Sequence, residues 1–137
     1  GLLLTDFSQN SGLAFNYLKT NLAPHFEQLS LLHVQDTVAL RHHDKETLAR
    51  FNQIDRGRLE KMAEEIRDAA KNPVNKVLVE GAIVPEIMRE VKLNLVSLII
   101  MGTHGRAHFS DIVLGSTVYP VIQLVESNCL LIPLKQE

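Results

Sequence analysis

Apolar residues fall along this chain in two alternating rhythms: short unbroken runs, and longer stretches in which they recur every three or four positions. The first rhythm marks strands buried on both faces, the second helices with one inward stripe. Leu2 to Thr5 is the first run, followed by a polar turn, Asp6-Phe7-Ser8, after which Ser8 or Asn10 can cap a helix. That helix turns Ala14, Leu18 and Leu22 inward, with Phe15 and Tyr17 widening the stripe, and Pro24 is expected to end it. Leu29 to Val34 is the second strand. Asp44 can cap a long helix whose inner side holds Leu48, Phe51, Leu59, Met62, Ala63, Ile66 and Ala70, with Asn72-Pro73 as its stop. Lys76 to Val79 is the third strand, and Pro85 suits the first turn of a short helix bearing Ile87, Met88 and Val91. Val96 to Met101 is the fourth and most hydrophobic strand. A last helix opens at Gly115-Ser116 with Val118, Ile122 and Val125 inward, and Cys129 to Leu134 closes the series as a strand. Pro120 falls inside that helix and is expected to bend or weaken it.

Strand and helix alternate throughout, with no long linker and no internal repeat. The pattern predicts a single α/β domain over residues 1–137, a doubly wound parallel sheet with helices on both faces. A hydrophobic share of 45% and a charged share of 22% leave that globular reading intact. Charge narrows the function. A net charge of -2 and a pI near 6.3 supply no basic footprint for nucleic acid or an anionic membrane, although a phosphate pocket made of backbone amides needs none. No apolar run approaches the roughly 18–20 residues that span a bilayer, and no stretch has the form of a signal peptide. The lone Cys129 cannot form an internal disulfide. Together these predict a cytoplasmic protein.

The chemistry concentrates after the fourth strand, in Met101-Gly102-Thr103-His104-Gly105-Arg106, which runs to Leu114 and then Gly115-Ser116-Thr117. Glycine lets backbone approach a ligand closely, and the carboxyl end of a strand is where an α/β sheet presents its ligands. Gly115-Ser116 begins a helix, whose unpaired amides and positive dipole end attract an anion. Ser116 and Thr117 add hydroxyl donors. Three glycines and two hydroxyls arranged as strand, loop and helix start outweigh the plainer reading of glycines as turn formers. The result is a phosphate cradle that is neither a Walker loop nor the dinucleotide Gly-x-Gly-x-x-Gly.

With that spacing the sequence resembles the universal stress proteins, whose ATP-binding members carry Gly-x-x-Gly, nine residues, then Gly-Ser/Thr. Gly102, Gly105, Gly115 and Ser116 match in full, and Thr5-Asp6-Phe7-Ser8, Leu32-His33-Val34 and Met101-Gly102-Thr103-His104-Gly105 are similar to the family's strand ends. Leu4 and Leu130 depart from it, standing where many members have proline. The resemblance implies a five-stranded parallel sheet of order 3-2-1-4-5, frequent homodimers, and ATP, ADP or AMP, with Mg²⁺, held between the first and fourth strands. It implies that Asp6 contacts the adenosine, that Val34 offers backbone to the adenine, and that Gly102, Gly105, Gly115, Ser116 and Thr117 hold the phosphates, within a site that also takes in Met101, Thr103, His104 and Arg106. Chemistry agrees for Asp6: a carboxylate repels phosphate but accepts hydrogen bonds from ribose hydroxyls or an adenine amino group, its plainer role being a turn or cap.

Other residues invite less. His42-His43-Asp44 lacks the spacing of a metal site and reads as a solvated loop. His33, in an apolar strand, reads as a packed core histidine. His104 serves equally as a phosphate contact or a loop-structural residue, and Arg106 as a partner of phosphate or of surface carboxylates. Asp111 reads as an exposed turn residue and Cys129 as a small core residue. No Ser/Cys–His–carboxylate constellation is evident, so any ATP hydrolysis should be slow and enzymatic activity is left open. Two other classes compete. One is a nucleotide-free dimeric interaction module, which has no need of the cradle. The other is a nicotinamide-linked oxidoreductase, disfavoured because Asp6 to Gly12 lacks the dinucleotide glycines. The final strand, apolar until Lys135 and at the sheet's edge in the implied order, is the expected dimer contact.

Overall fold

The computed structural model describes residues 1–103 and 117–133. Five strands, β1 (Leu2–Leu4), β2 (Ser30–Asp36), β3 (Asn75–Gly81), β4 (Leu98–Gly102) and β5 (Asn128–Ile132), form one sheet of order β3-β2-β1-β4-β5. Every pairing is parallel. The alternation of runs and periodic stretches therefore becomes the doubly wound sheet it predicts.

Helices α1 (Gln9–Tyr17) and α2 (Lys45–Ile66) cover one face; α3 (Ile83–Leu93) and α4 (Val118–Leu124) cover the other. Strand residues alternate between two cores. Leu3, Leu31 and Ile100 pack with Ala14, Phe15, Leu59 and Ile66; Leu2, Leu32, Ile99 and Met101 pack with Ile87, Val91, Val118 and Val121. Each Leu, Ile, Val, Phe or Met side chain so withdrawn from water contributes about 1.5–3 kcal/mol before its entropy cost. This two-sided burial is why the strands read as unbroken apolar runs.

Local chemistry sets the helix ends. Ser8, not Asn10, caps α1, its Oγ accepting from Ser11 N–H at 3.3 Å. Asp44 caps α2 by accepting from Thr47 N–H at 2.7 Å, and hydrogen bonds from Thr47 hold its carboxyl below the usual range. Several sequence expectations need correction. Tyr17 lies outside the inward stripe, and α1 ends there, continuing as a π-helical turn (Leu18–Leu22) and a 3₁₀ turn (Ala23–His25) that contains Pro24. Helix α2 stops at Ile66, ahead of Asn72-Pro73. In α4 the inward residue is Val121, while Ile122 is 37% exposed. Pro120 does not weaken α4. It sits in the first turn, where its missing N–H has no intrahelical partner to lose.

Candidate functional site

The strand order reverses between β1 and β4. The chain leaving β1 turns onto the face of α1, and α4 lies on the opposite face. A crevice therefore opens at the carboxyl ends of these two neighbours, the position at which sheets of this kind hold ligands.

The β1 side of the crevice is a tightly bonded turn. Asp6 Oδ1 accepts from Ser8 N–H at 2.9 Å, and Thr5 Oγ1 accepts from Phe7 N–H at 3.0 Å. Asp6 thus has the turn role considered for it. Phe7 adopts φ of 61°, a left-handed conformation uncommon for a bulky residue. Its ring is held from two sides: the His33 ring lies 4.5 Å away and the Arg58 guanidinium 5.1 Å.

Val34 faces the same crevice with its backbone. Ser30 N–H donates to Gly1 C=O at 3.0 Å and Thr5 N–H to Leu32 C=O at 2.9 Å, so the even-numbered residues of β2 present their backbone to β1. Asn75 N–H donates to Leu29 C=O at 2.9 Å, so the odd ones face β3. Pairing with β1 stops at Leu4↔Leu32. The N–H and C=O of Val34, next in the even series, consequently point past the end of β1, and its side chain packs into the α3–α4 core.

On the β4 side, Met101 is buried in that core, and Thr103 ties β4 to β5 through its N–H to Ile132 C=O at 3.1 Å. Asn10 reinforces the tie. Fully buried at the start of α1, it donates from Nδ2 to Ile132 C=O at 2.9 Å and accepts from Thr103 Oγ1 at 3.4 Å. A Cβ on Gly102 would lie 2.7 Å from Asn10 Cγ. The first glycine of the motif is thus required by Asn10. Thr117 stands at the amino end of α4. His104, Gly105, Arg106, Asp111, Gly115 and Ser116 lie outside the described residues.

His33 is indeed a packed histidine, yet it is not an isolated one. Nδ1 lies 2.8 Å from the Thr5 carbonyl oxygen and Nε2 3.3 Å from Asp55 Oδ2, with His33 7% and Asp55 8% exposed. Arg58 approaches the other Asp55 oxygen at 3.5 Å. Asp55 and Asn10 escaped sequence reasoning. Asp55 had a visible signal, being four residues from both Phe51 and Leu59 and so on the inner stripe of α2. Asn10 was masked by its place among cap-forming residues. His42 and His43 are exposed, His43 lying edge-on to Phe51 at 5.3 Å. Burial raises the Cys129 thiol pKa, which keeps it a thiol rather than a nucleophilic thiolate. Among the described residues no cluster of His, Cys, Asp and Glu could hold a metal, and no helix is long and apolar enough to cross a membrane.

A five-stranded parallel sheet of this order, with helices on both faces and a strand-order reversal between β1 and β4, defines a doubly wound α/β domain. The universal stress protein family model matches residues 2–133. The universal stress protein MJ0577 of Methanocaldococcus jannaschii is 25% identical over 138 residues, 87% of this chain and 85% of that protein. The solved MJ0577 structure superposes with a TM-score of 0.85 at 26% identity, covering 99% of this chain and 96% of that one. UspA from Lactobacillus plantarum (TM-score 0.82, 20% identity, 96% and 95% covered) shares the fold. So does a universal stress protein crystallised with cAMP (TM-score 0.71, 17% identity, 96% and 94% covered). This chain belongs to the universal stress protein family.

Proposed function

We propose that this chain binds an adenine nucleotide, ATP or its products ADP and AMP, with Mg²⁺, and acts in the cytoplasm as a nucleotide-dependent regulator of the stress response. The observation that carries the proposal is that the Gly-x-x-Gly, nine residues, Gly-Ser motif begins at the end of β4, the neighbour of β1 and its Asp6 turn. On the β1–β2 side stand a carboxylate, Asp6, and the outward backbone of Val34, suited to ribose hydroxyls and the adenine edge. On the β4 side the sequence supplies Gly102, Thr103, His104, Gly105, Arg106, Gly115, Ser116 and Thr117, amides and hydroxyls suited to phosphate. The cAMP complex shows that a protein of this fold holds an adenine nucleotide. Binding, rather than fast turnover, fits a sequence in which no Ser/Cys–His–carboxylate constellation is evident.

Asp6→Ala tests the adenosine end. Loss of hydrogen bonds to a carboxylate should weaken ATP and adenosine alike, by about 1.5–3 kcal/mol each. Calorimetry giving wild-type affinity for both would return Asp6 to its turn role alone.

We further propose a homodimer joined through β5, with Ile132 and its neighbours at the contact. This strand is an edge of the sheet, and Tyr119, Ile122 and Leu124 are exposed on α4 nearby. An unpaired edge beside apolar surface is satisfied by a second copy. Pro133, directly after the strand, limits the length of any continuous ladder. Light scattering should give about twice 15.4 kDa at tens of micromolar protein; the monomer mass would contradict the dimer.

A further inference from the structure

The parallel ladder between β1 and β2 stops one rung early, and His33 stands where it stops. Each even residue of β2 donates its N–H to a β1 carbonyl two positions further on than the last: Ser30 to Gly1 C=O at 3.0 Å sets the phase. In that phase the carbonyl due to Val34 N–H is that of Thr5. The Thr5 N–H still makes its own ladder bond, to Leu32 C=O at 2.9 Å, so the strands remain close at this point. The Thr5 carbonyl, however, is turned to His33 Nδ1 at 2.8 Å. A carbonyl only accepts, so Nδ1 carries the proton in this contact.

The imidazole is held in that position by Asp55 and Phe7. Asp55 Oδ2 lies 3.3 Å from Nε2, Arg58 lies 3.5 Å from the other Asp55 oxygen, and the Phe7 ring covers the imidazole at 4.5 Å. Such an arrangement over-determines a ring that β2 alone would leave free to rotate.

We propose that His33 is a positioning residue for the base end of the site: by capturing the Thr5 carbonyl it ends the ladder and frees the Val34 backbone for the nucleotide. Asp55 holds the ring that does this. The inference rests on the reading that Val34 meets the adenine, and it adds the cause of Val34's availability. It also gives a role to the buried contact between His33 on β2 and Asp55 on the inner face of α2, a kind of pair that apolar side chains often replace without loss of stability.

Amide hydrogen exchange of Val34, read by NMR on the nucleotide-free protein, tests the device directly. His33→Leu alone strands the Asp55 carboxylate, so the informative variant is His33→Leu with Asp55→Leu, which fills the space with apolar side chains. In it the Thr5 carbonyl should pair with Val34 N–H, slowing Val34 exchange by about tenfold or more, as expected for one added hydrogen bond. Affinity for ATP and for adenosine should fall together, by about tenfold. His33→Asn with Asp55→Leu, which keeps a donor near Nδ1 and leaves no carboxylate behind, should leave Val34 exchange fast and restore most of the affinity. Unchanged Val34 exchange in the double-leucine variant, or the His33→Asn variant behaving like it, overturns the proposal. A wild type that binds neither ATP nor adenosine overturns the proposed function instead, while the exchange result still decides whether His33 ends the ladder.

Discussion

Gly102→Val should destabilise the domain by about 3 kcal/mol whether or not nucleotide is present, the upper part of the range for overpacking a buried site. The added Cβ would lie 2.7 Å from Cγ, 2.8 Å from Nδ2 and 2.9 Å from Oδ1 of Asn10, distances no relaxed structure holds. Asn10 cannot swing away cheaply, because it is fully buried and bonded to Ile132 C=O at 2.9 Å and to Thr103 Oγ1 at 3.4 Å. The strand end would have to move, taking Thr103 and the start of the phosphate motif with it. Chemical denaturation measures the loss. Adding Asn10→Ala should make the double variant lose less than the sum of the two single losses, since the smaller side chain removes the collision. Strict additivity would mean that Gly102 is glycine for another reason.

Gly115→Val carries the same substitution at the far end of the motif and should give the opposite signature. Gly115 precedes Ser116 and the Thr117 cap of α4, so a β-branched side chain there stands where phosphate would meet the amides. ATP affinity should fall by about a hundredfold or more, the scale set when several charge-assisted hydrogen bonds are lost together, while the circular dichroism spectrum stays that of an α/β domain. Wild-type affinity in this variant would place the phosphates elsewhere. The pair of variants therefore separates a glycine demanded by the fold from one demanded by the ligand.

The sheet was legible because burial on both faces writes strands as unbroken runs, as in Leu29 to Val34 and Val96 to Met101. Parallel order followed from the alternation, and the order of strands from family resemblance rather than from periodicity. What the sequence concealed was register and reach. Helical period alone cannot choose between Val121 and Ile122, which lie side by side around α4, and the structure buries the first. Pro120 looked disruptive only because the start of α4 was placed at Gly115-Ser116; with Thr117 as the cap it falls in the first turn. Asn10 and Asp55 act through partners distant in sequence, Asn10 through Ile132 and Asp55 through His33, and no local pattern records such contacts. The glycines of the motif were visible as a group, whereas the collision that makes Gly102 obligatory depends on α1 crossing the end of β4.

The central claim is that this chain holds an adenine nucleotide in the crevice between β1 and β4. Thermal unfolding with and without MgATP, paired with titration calorimetry, tests it most directly, because a ligand selective for the folded state must stabilise it. At about 100 times Kd the expected gain is roughly 2.7 kcal/mol, seen as a higher Tm and a saturable heat of binding. A melting curve unmoved by millimolar MgATP, together with no heat of binding, would contradict the account.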